Sequence, residues 1–71
     1  MNNYKFGNYL YALRKNACLT QAAVAFQLGV TNKAVSKWEN GKSKPNTETL
    51  NKLADLYGVS ADSLLENMCD K

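Results

Sequence analysis

Apolar residues recur along this 71-residue chain at intervals of three and four, the spacing of helices that each bury one face. Phe6, Leu10 and Leu13 mark a first helix from about Lys5 to Asn16. Thr20 can then cap a second, from Gln21 to about Leu28, because its side-chain oxygen can accept a backbone N–H left free in the first turn. Gly29 supplies the backbone freedom to end it. Thr31 caps a third helix, from Asn32 to about Glu39, closed by Asn40 and Gly41. A loop runs from Gly41 to Pro45. Beyond it Asn46 caps a fourth helix, with Leu50, Leu53, Ala54 and Tyr57 inward and Gly58 at its end, and Ser60 caps a short fifth. Leu19, Val30 and Val59 each precede a cap and stand five positions before Val24, Val35 and Leu64, the spacing of a hydrophobic staple that fixes how the chain enters each helix. Linkers, low-complexity tracts and internal repeats are absent from the sequence. These signals predict one all-α domain over residues 1–71, with its core at about 5–66 and a tight turn between the second and third helices.

The third helix has two unlike sides. On a wheel of roughly 100° per residue, Asn32, Lys33, Ser36, Lys37 and Asn40 fall in an arc of about 140°, opposite Ala34, Val35 and Trp38. A B-DNA major groove admits one α-helix, and its base edges offer acceptors and donors that Lys and Asn side chains can meet. An ordinary solvated helix face carries the same residue types, so the surroundings must decide.

Charge is the first of those surroundings. The net charge of +3 conceals an asymmetry: seven Lys and Arg residues stand against Glu39 alone up to Lys44, a net of +6, and the rest of the chain carries −3. A basic half holding the two short helices and an acidic remainder suit a polyanion on one side and solvent or another protein on the other. Seventy-one residues bury one modest core, so all the helices must share it. Cys18 and Cys69 make no disulfide framework and match no zinc spacing, so free thiols are expected. Cys18 lies near a helix N-terminus, where a thiol could serve as a redox switch, although a plain thiol is the simpler reading. No stretch approaches a membrane span and residues 1–5 are not followed by a signal-peptide core, so a cytoplasmic protein with no membrane partner is expected. With no His, no clustered acids and no activated nucleophile, no enzyme, cofactor or metal is expected.

The run Leu19, Thr20, Gln21, Val24, Ala25, Leu28, Gly29, Val30, Val35, Ser36, Lys37, Trp38, Glu39, Asn40, Gly41 and Pro45 resembles the helix-turn-helix family of phage repressors and Cro proteins, also called the xenobiotic-response-element family. Phe6, Leu10, Leu13 and Arg14 before it, and Leu50, Leu53, Ala54, Leu56, Gly58, Val59, Leu64 and Leu65 after it, extend the resemblance over residues 5–66. It implies a compact five-helix domain of the lambda-repressor type, with the helix-turn-helix formed by helices 2 and 3. It also implies roles. Gln21 would contact the DNA backbone or an adjacent base. Asn32, Lys33 and Lys37 lie where the family reads bases, and Thr31 would add a contact to a thymine methyl group or serve only as a cap. Ser36, Asn40, Lys42 and Lys44 match positions that hold phosphates or support the interface. Arg14 and Glu39 match a pair joining the first and third helices, read as structural because an unpaired carboxylate facing DNA would oppose binding.

Two positions depart from the family pattern. Ala23 stands where an acid is frequent, which removes a reciprocal capping contact. Cys18 stands where glycine is usual, so strain is expected at the end of the first helix. Tyr4, Tyr9, Tyr11 and Phe26 give more aromatic surface than a small monomer needs; Tyr57 is read as core, while Tyr9 and Tyr11 are left open between core and interface.

The function these readings imply is a sequence-specific transcriptional regulator, a repressor binding double-stranded DNA at a palindromic operator as a homodimer, since one small helix reaches too few bases to find a site. The alternative is an antitoxin or interaction module whose acidic C-terminal half binds a partner protein. With no separate effector domain in the sequence, a signal is expected to arrive through concentration, a partner or proteolysis.

Overall fold

Four side chains start four of the helices. Thr20 Oγ1 accepts the N–H of Ala23 at 3.1 Å, Thr31 Oγ1 that of Ala34 at 3.1 Å, Asn46 Oδ1 that of Thr49 at 2.9 Å and Ser60 Oγ that of Ser63 at 3.1 Å. Each satisfies a first-turn donor that the helix itself cannot. The structure, a computed structural model, describes residues 4–68. Its elements are α1 (Tyr4–Asn16), α2 (Gln21–Leu28), α3 (Asn32–Glu39), α4 (Thr47–Tyr57) and α5 (Ala61–Met68). α1 starts one residue earlier than the sequence predicts, within the ordinary fraying of a helix end. Cys69 and the side chain of Tyr4 lie outside the described part.

The helix ends share one plan. After α1 the N–H of Leu19 reaches back to the Arg14 carbonyl and that of Cys18 to Lys15; after α2, Val30 bonds Ala25 and Gly29 bonds Phe26. The same pair closes α3, with Lys42 on Lys37 and Gly41 on Trp38, and Val59 bonds Ala54 after α4. A closure of this kind, paired after α1, α2 and α3, turns on a left-handed residue at its corner. Gly29, Gly41 and Gly58 fill three of these places with φ of 72°, 74° and 69°, and Cys18 fills the fourth with φ of 59°. The strain expected at Cys18 is therefore present, at a cost of about 1–2 kcal/mol for a residue with a Cβ. Leu19, Val30 and Val59 close one helix, precede the cap of the next, and pack against the core. Lys42 breaks the series: the fourth closing residue is an exposed lysine, and the chain leaves α3 through a loop.

Phe6, Leu10, Val24, Ala25, Leu28, Val35, Trp38, Leu50, Leu53, Ala54 and Leu64 form the core. Leu13 and Tyr57, read as inward from the sequence, are only partly buried at its edge. α3 packs on both α1 and α2, and α5 on α1 and α4. Tyr9 joins this packing and its hydroxyl meets Ser63 Oγ at 2.7 Å, tying α1 to α5. Tyr11 instead lies at the surface, its ring centroid 5.3 Å from the Arg14 guanidinium and 5.9 Å from Lys15 Nζ. Phe26 is 86% exposed on α2.

α1 and α3 come within backbone contact at Gly7. A Cβ built there would stand 2.9 Å from the carbonyl oxygen of Trp38 and nearer still to that of Glu39. Both obstacles are backbone, so neither can rotate away. Gly7 thus lets α1 meet the last turn of α3, with an α-hydrogen against a helix-end carbonyl where a methyl group would collide.

Candidate nucleic-acid interface

α3 sets its two sides apart by burial. Val35 and Trp38 are sealed into the core, and Asn32, Lys33 and Lys37 are exposed on the other side. Thr31, exposed, spends its hydroxyl oxygen on the cap. Ser36 is half-buried and its Oγ accepts from Asn40 Nδ2 at 3.3 Å, so these two polar side chains brace each other one turn apart. Lys42 and Lys44 stand exposed on the loop that follows. The structure therefore brings Asn32, Lys33 and Lys37 onto one open helix flank and sets the two loop lysines beyond its C-terminal end.

Beneath that end lies a charged knot. Arg14 Nε donates to Glu39 Oε2 at 2.7 Å and Nη2 to Oε1 at 3.1 Å, while Nη1 donates to the Leu19 carbonyl at 2.9 Å. The pair's side chains are 10% and 5% exposed. A two-pronged guanidinium–carboxylate contact of this kind fixes orientation as well as charge. The hydrogen bond to Glu39 raises the Arg14 pKa, burial opposes the rise, and the attraction of Glu39 adds to it, so the guanidinium stays charged. Gln21 joins the knot, its Nε2 donating to Glu39 Oε1 at 3.1 Å. Three donor groups from α1 and α2 thus converge on one carboxylate of α3.

Nothing in helical periodicity pointed to the Gln21–Glu39 contact, since it spans 18 residues. Gly7 was also missed. Its one signal is a glycine inside a helix, which costs about 1 kcal/mol relative to alanine and so calls for a packing reason.

The electrostatics follow the same division. Exposed Lys33, Lys37, Lys42 and Lys44 belong to α3 and its loop, with the only acid of that stretch neutralised by Arg14. Exposed Glu48, Asp55, Asp62 and Glu66 belong to α4 and α5. Among the described residues, no group of His, Cys, Asp or Glu side chains could hold a metal ion, and no helix is long and apolar enough to cross a membrane.

An open polar flank on the second helix of a tight two-helix unit defines the class of helix-turn-helix proteins. Residues 10–64 match the family model described as "Helix-turn-helix", and the chain belongs to that family, in its Cro and phage-repressor branch. It is 43% identical over 61 residues to the HTH-type transcriptional activator BcrR of Enterococcus faecalis, covering 86% of this chain and 30% of that protein. It is 38% identical over 66 residues to Repressor protein C2 of Salmonella phage P22, covering 93% of this chain and 31% of that one. The crystal structure of the P22 c2 repressor in complex with a synthetic operator superposes with a TM-score of 0.83 at 37% identity, over 87% of this chain and 94% of that one. The chain thus spans less than a third of the length of these two curated relatives. The same fold makes up 34% of the hydroxypropylphosphonic acid epoxidase of S. wedmorenis, at 30% identity and a TM-score of 0.78 over 89% of this chain. Fold alone therefore does not assign a function, and the side chains on α3 must.

Proposed function

We propose that this chain is the DNA-reading part of a cytoplasmic transcriptional regulator, a repressor that binds a palindromic operator as a homodimer. The observation that carries the reading is the pairing of an exposed Asn32, Lys33 and Lys37 flank with a buried Val35 and Trp38 flank on one helix. It is supported by likeness to a repressor whose structure is described with a synthetic operator. Asn32 suits the N6 and N7 of adenine, and Lys33 and Lys37 suit the O6 and N7 of guanine. Thr31 lies beside them, where its methyl group can meet that of thymine. Lys42 and Lys44 hold phosphates and set the register, while Asn40 braces Ser36 at the same edge. A two-fold dimer doubles the bases read and demands half-sites about one DNA turn apart, roughly 34 Å.

Selection of bound sequences from a random duplex pool tests this directly. A palindromic consensus supports both the class and the symmetry; an unenriched pool removes the reading. Against the selected site, Lys37→Ala relaxes preference at one base position, and Lys42→Ala weakens every sequence alike and flattens the salt slope by about one unit. Equal losses for Lys37→Ala on selected and random duplexes would remove its base-reading role.

A second reading, an antitoxin that also binds DNA, draws on the exposed acids of α4 and α5. Co-purification of a stoichiometric partner that is lost on reversing those charges would favour it.

A further inference from the structure

We propose that Glu39 is a positioning residue for DNA binding: clamped by Arg14, its carboxylate holds the Gln21 amide so that the amide's second N–H is presented at the start of α2. The proposal rests on the DNA reading above and adds to it a residue that touches no nucleic acid itself. Glu39 Oε1 receives both Arg14 Nη2 and Gln21 Nε2 at 3.1 Å, and Oε2 receives Arg14 Nε at 2.7 Å. A carboxylate only accepts, so it admits the NH2 end of a glutamine amide and turns the carbonyl away. One of the two N–H groups is used on Glu39. The other remains for an external acceptor, and a phosphate oxygen is such an acceptor.

Held this way, Gln21 has already lost the rotamer freedom that an unrestrained glutamine would give up on binding. Arg14 makes the arrangement compatible with DNA, because its charge balances the carboxylate that does the holding. The same contact links the first residue of α2 to the last of α3, so the backbone-touching and base-reading parts of the interface share one support. A purely structural role would leave Gln21 as filling for the knot, with no consequence for DNA beyond stability.

The two roles separate in a double-mutant cycle on the full chain, with a mixed-sequence 30-base-pair duplex as probe and every variant measured well below its Tm. Gln21→Ala weakens binding about tenfold, the loss of one hydrogen bond to an ionised group. Replacing both charges together, Arg14→Met with Glu39→Met, avoids stranding either one and releases Gln21, weakening binding by about three- to tenfold. In the Gln21→Ala background the same double replacement then costs nothing more. A loss of equal size in both backgrounds means that Glu39 does not act through Gln21, and overturns the proposal.

A measurement on the unaltered chain covers the case in which the double replacement fails to fold. In an NMR spectrum the Gln21 side-chain amide should show one proton displaced and slow to exchange, unlike the exposed Gln27. Two amide pairs of the same appearance overturn the proposal. A chain whose Gln21 amide is held but which binds no duplex overturns the DNA reading itself, and this inference with it.

Discussion

α3 is anchored at one end and merely started at the other. Its C-terminal turn rests on Gly7 of α1 at backbone distance, carries the buried Trp38, and ends in Glu39 under three donors from two other helices. Its N-terminal turn is held by the Thr31 cap and by Val30 and Val35 packing on the core, with no hydrogen bond or ion pair from another helix among the described residues. The contrast separates where the helix sits from what it presents. Long-range contacts hold the C-terminal turn, and of the residues proposed to read bases Asn32 and Lys33 project from the capped end, while Lys37 projects from the last turn on the same exposed flank. Side chains at 32, 33 and 37 can then vary without moving the helix that carries them.

The most forceful way to break this contrast is at the anchored end. Glu39→Ala leaves the Arg14 guanidinium almost buried without its partner, a situation that costs about 3–5 kcal/mol. For a domain of this size the Tm should fall by roughly 15 °C or more. Removing both charges, Arg14→Met with Glu39→Met, should recover most of that loss, because the stranded charge and not the missing attraction is the larger cost. A thermal melt in which the double replacement is no better than Glu39→Ala would show that the knot stabilises the fold in its own right.

Gly7→Ala comes next. Helix propensity alone favours alanine there by about 1 kcal/mol. The Cβ would meet backbone atoms of Trp38 and Glu39, so α1 and α3 must part, at a net cost of about 1–3 kcal/mol. The sign of the change in Tm decides between the two: a rise would mean that the helices are not held at this distance. Thr31→Ala, at the other end of α3, removes one cap at a cost of about 1 kcal/mol, and Thr31→Gly only a few tenths. If Thr31→Ala proved as damaging as Gly7→Ala, the two ends would be equally anchored and the contrast would fail.

The same division explains how much could be read from residues alone. Thr20, Thr31, Asn46 and Ser60 were legible as caps because a cap and its partner lie three residues apart. The strain at Cys18 came from family likeness, which puts glycine at that corner. Arg14 and Glu39 came from family likeness, for nothing local joins residues 25 apart. Gly7 and the Gln21–Glu39 contact were not legible, since each depends on how α1 and α2 meet α3 in space. Tyr57 lay between: its place on the inner face of α4 was readable, and its burial to only a partial degree was not. The exposed flank of α3 was readable from the wheel, while the work its side chains do there is a matter for DNA.

Tyr57 offers the smallest effect and a direct report on the anchored end. Burial pushes its phenol up to about 12, and the negative charge of Glu39 adds to the rise while Arg14 opposes it. A tyrosine in the unfolded chain ionises near pH 10, so below that both states are protonated and Tyr57 gives stability no dependence on pH. Between about pH 10 and 12 the unfolded chain loses its phenolic proton while the folded one keeps it, and stability falls as pH rises. In an alkaline absorbance titration Tyr57 should therefore ionise late, and Tyr57→Phe should remove that late component. Replacing Arg14 and Glu39 together with Met takes away two opposing influences and leaves the larger one, burial, in place. The late component should then persist with little displacement. If it vanished, the phenol would be governed by the charges of the knot, and the anchored end would be held by electrostatics more than by packing.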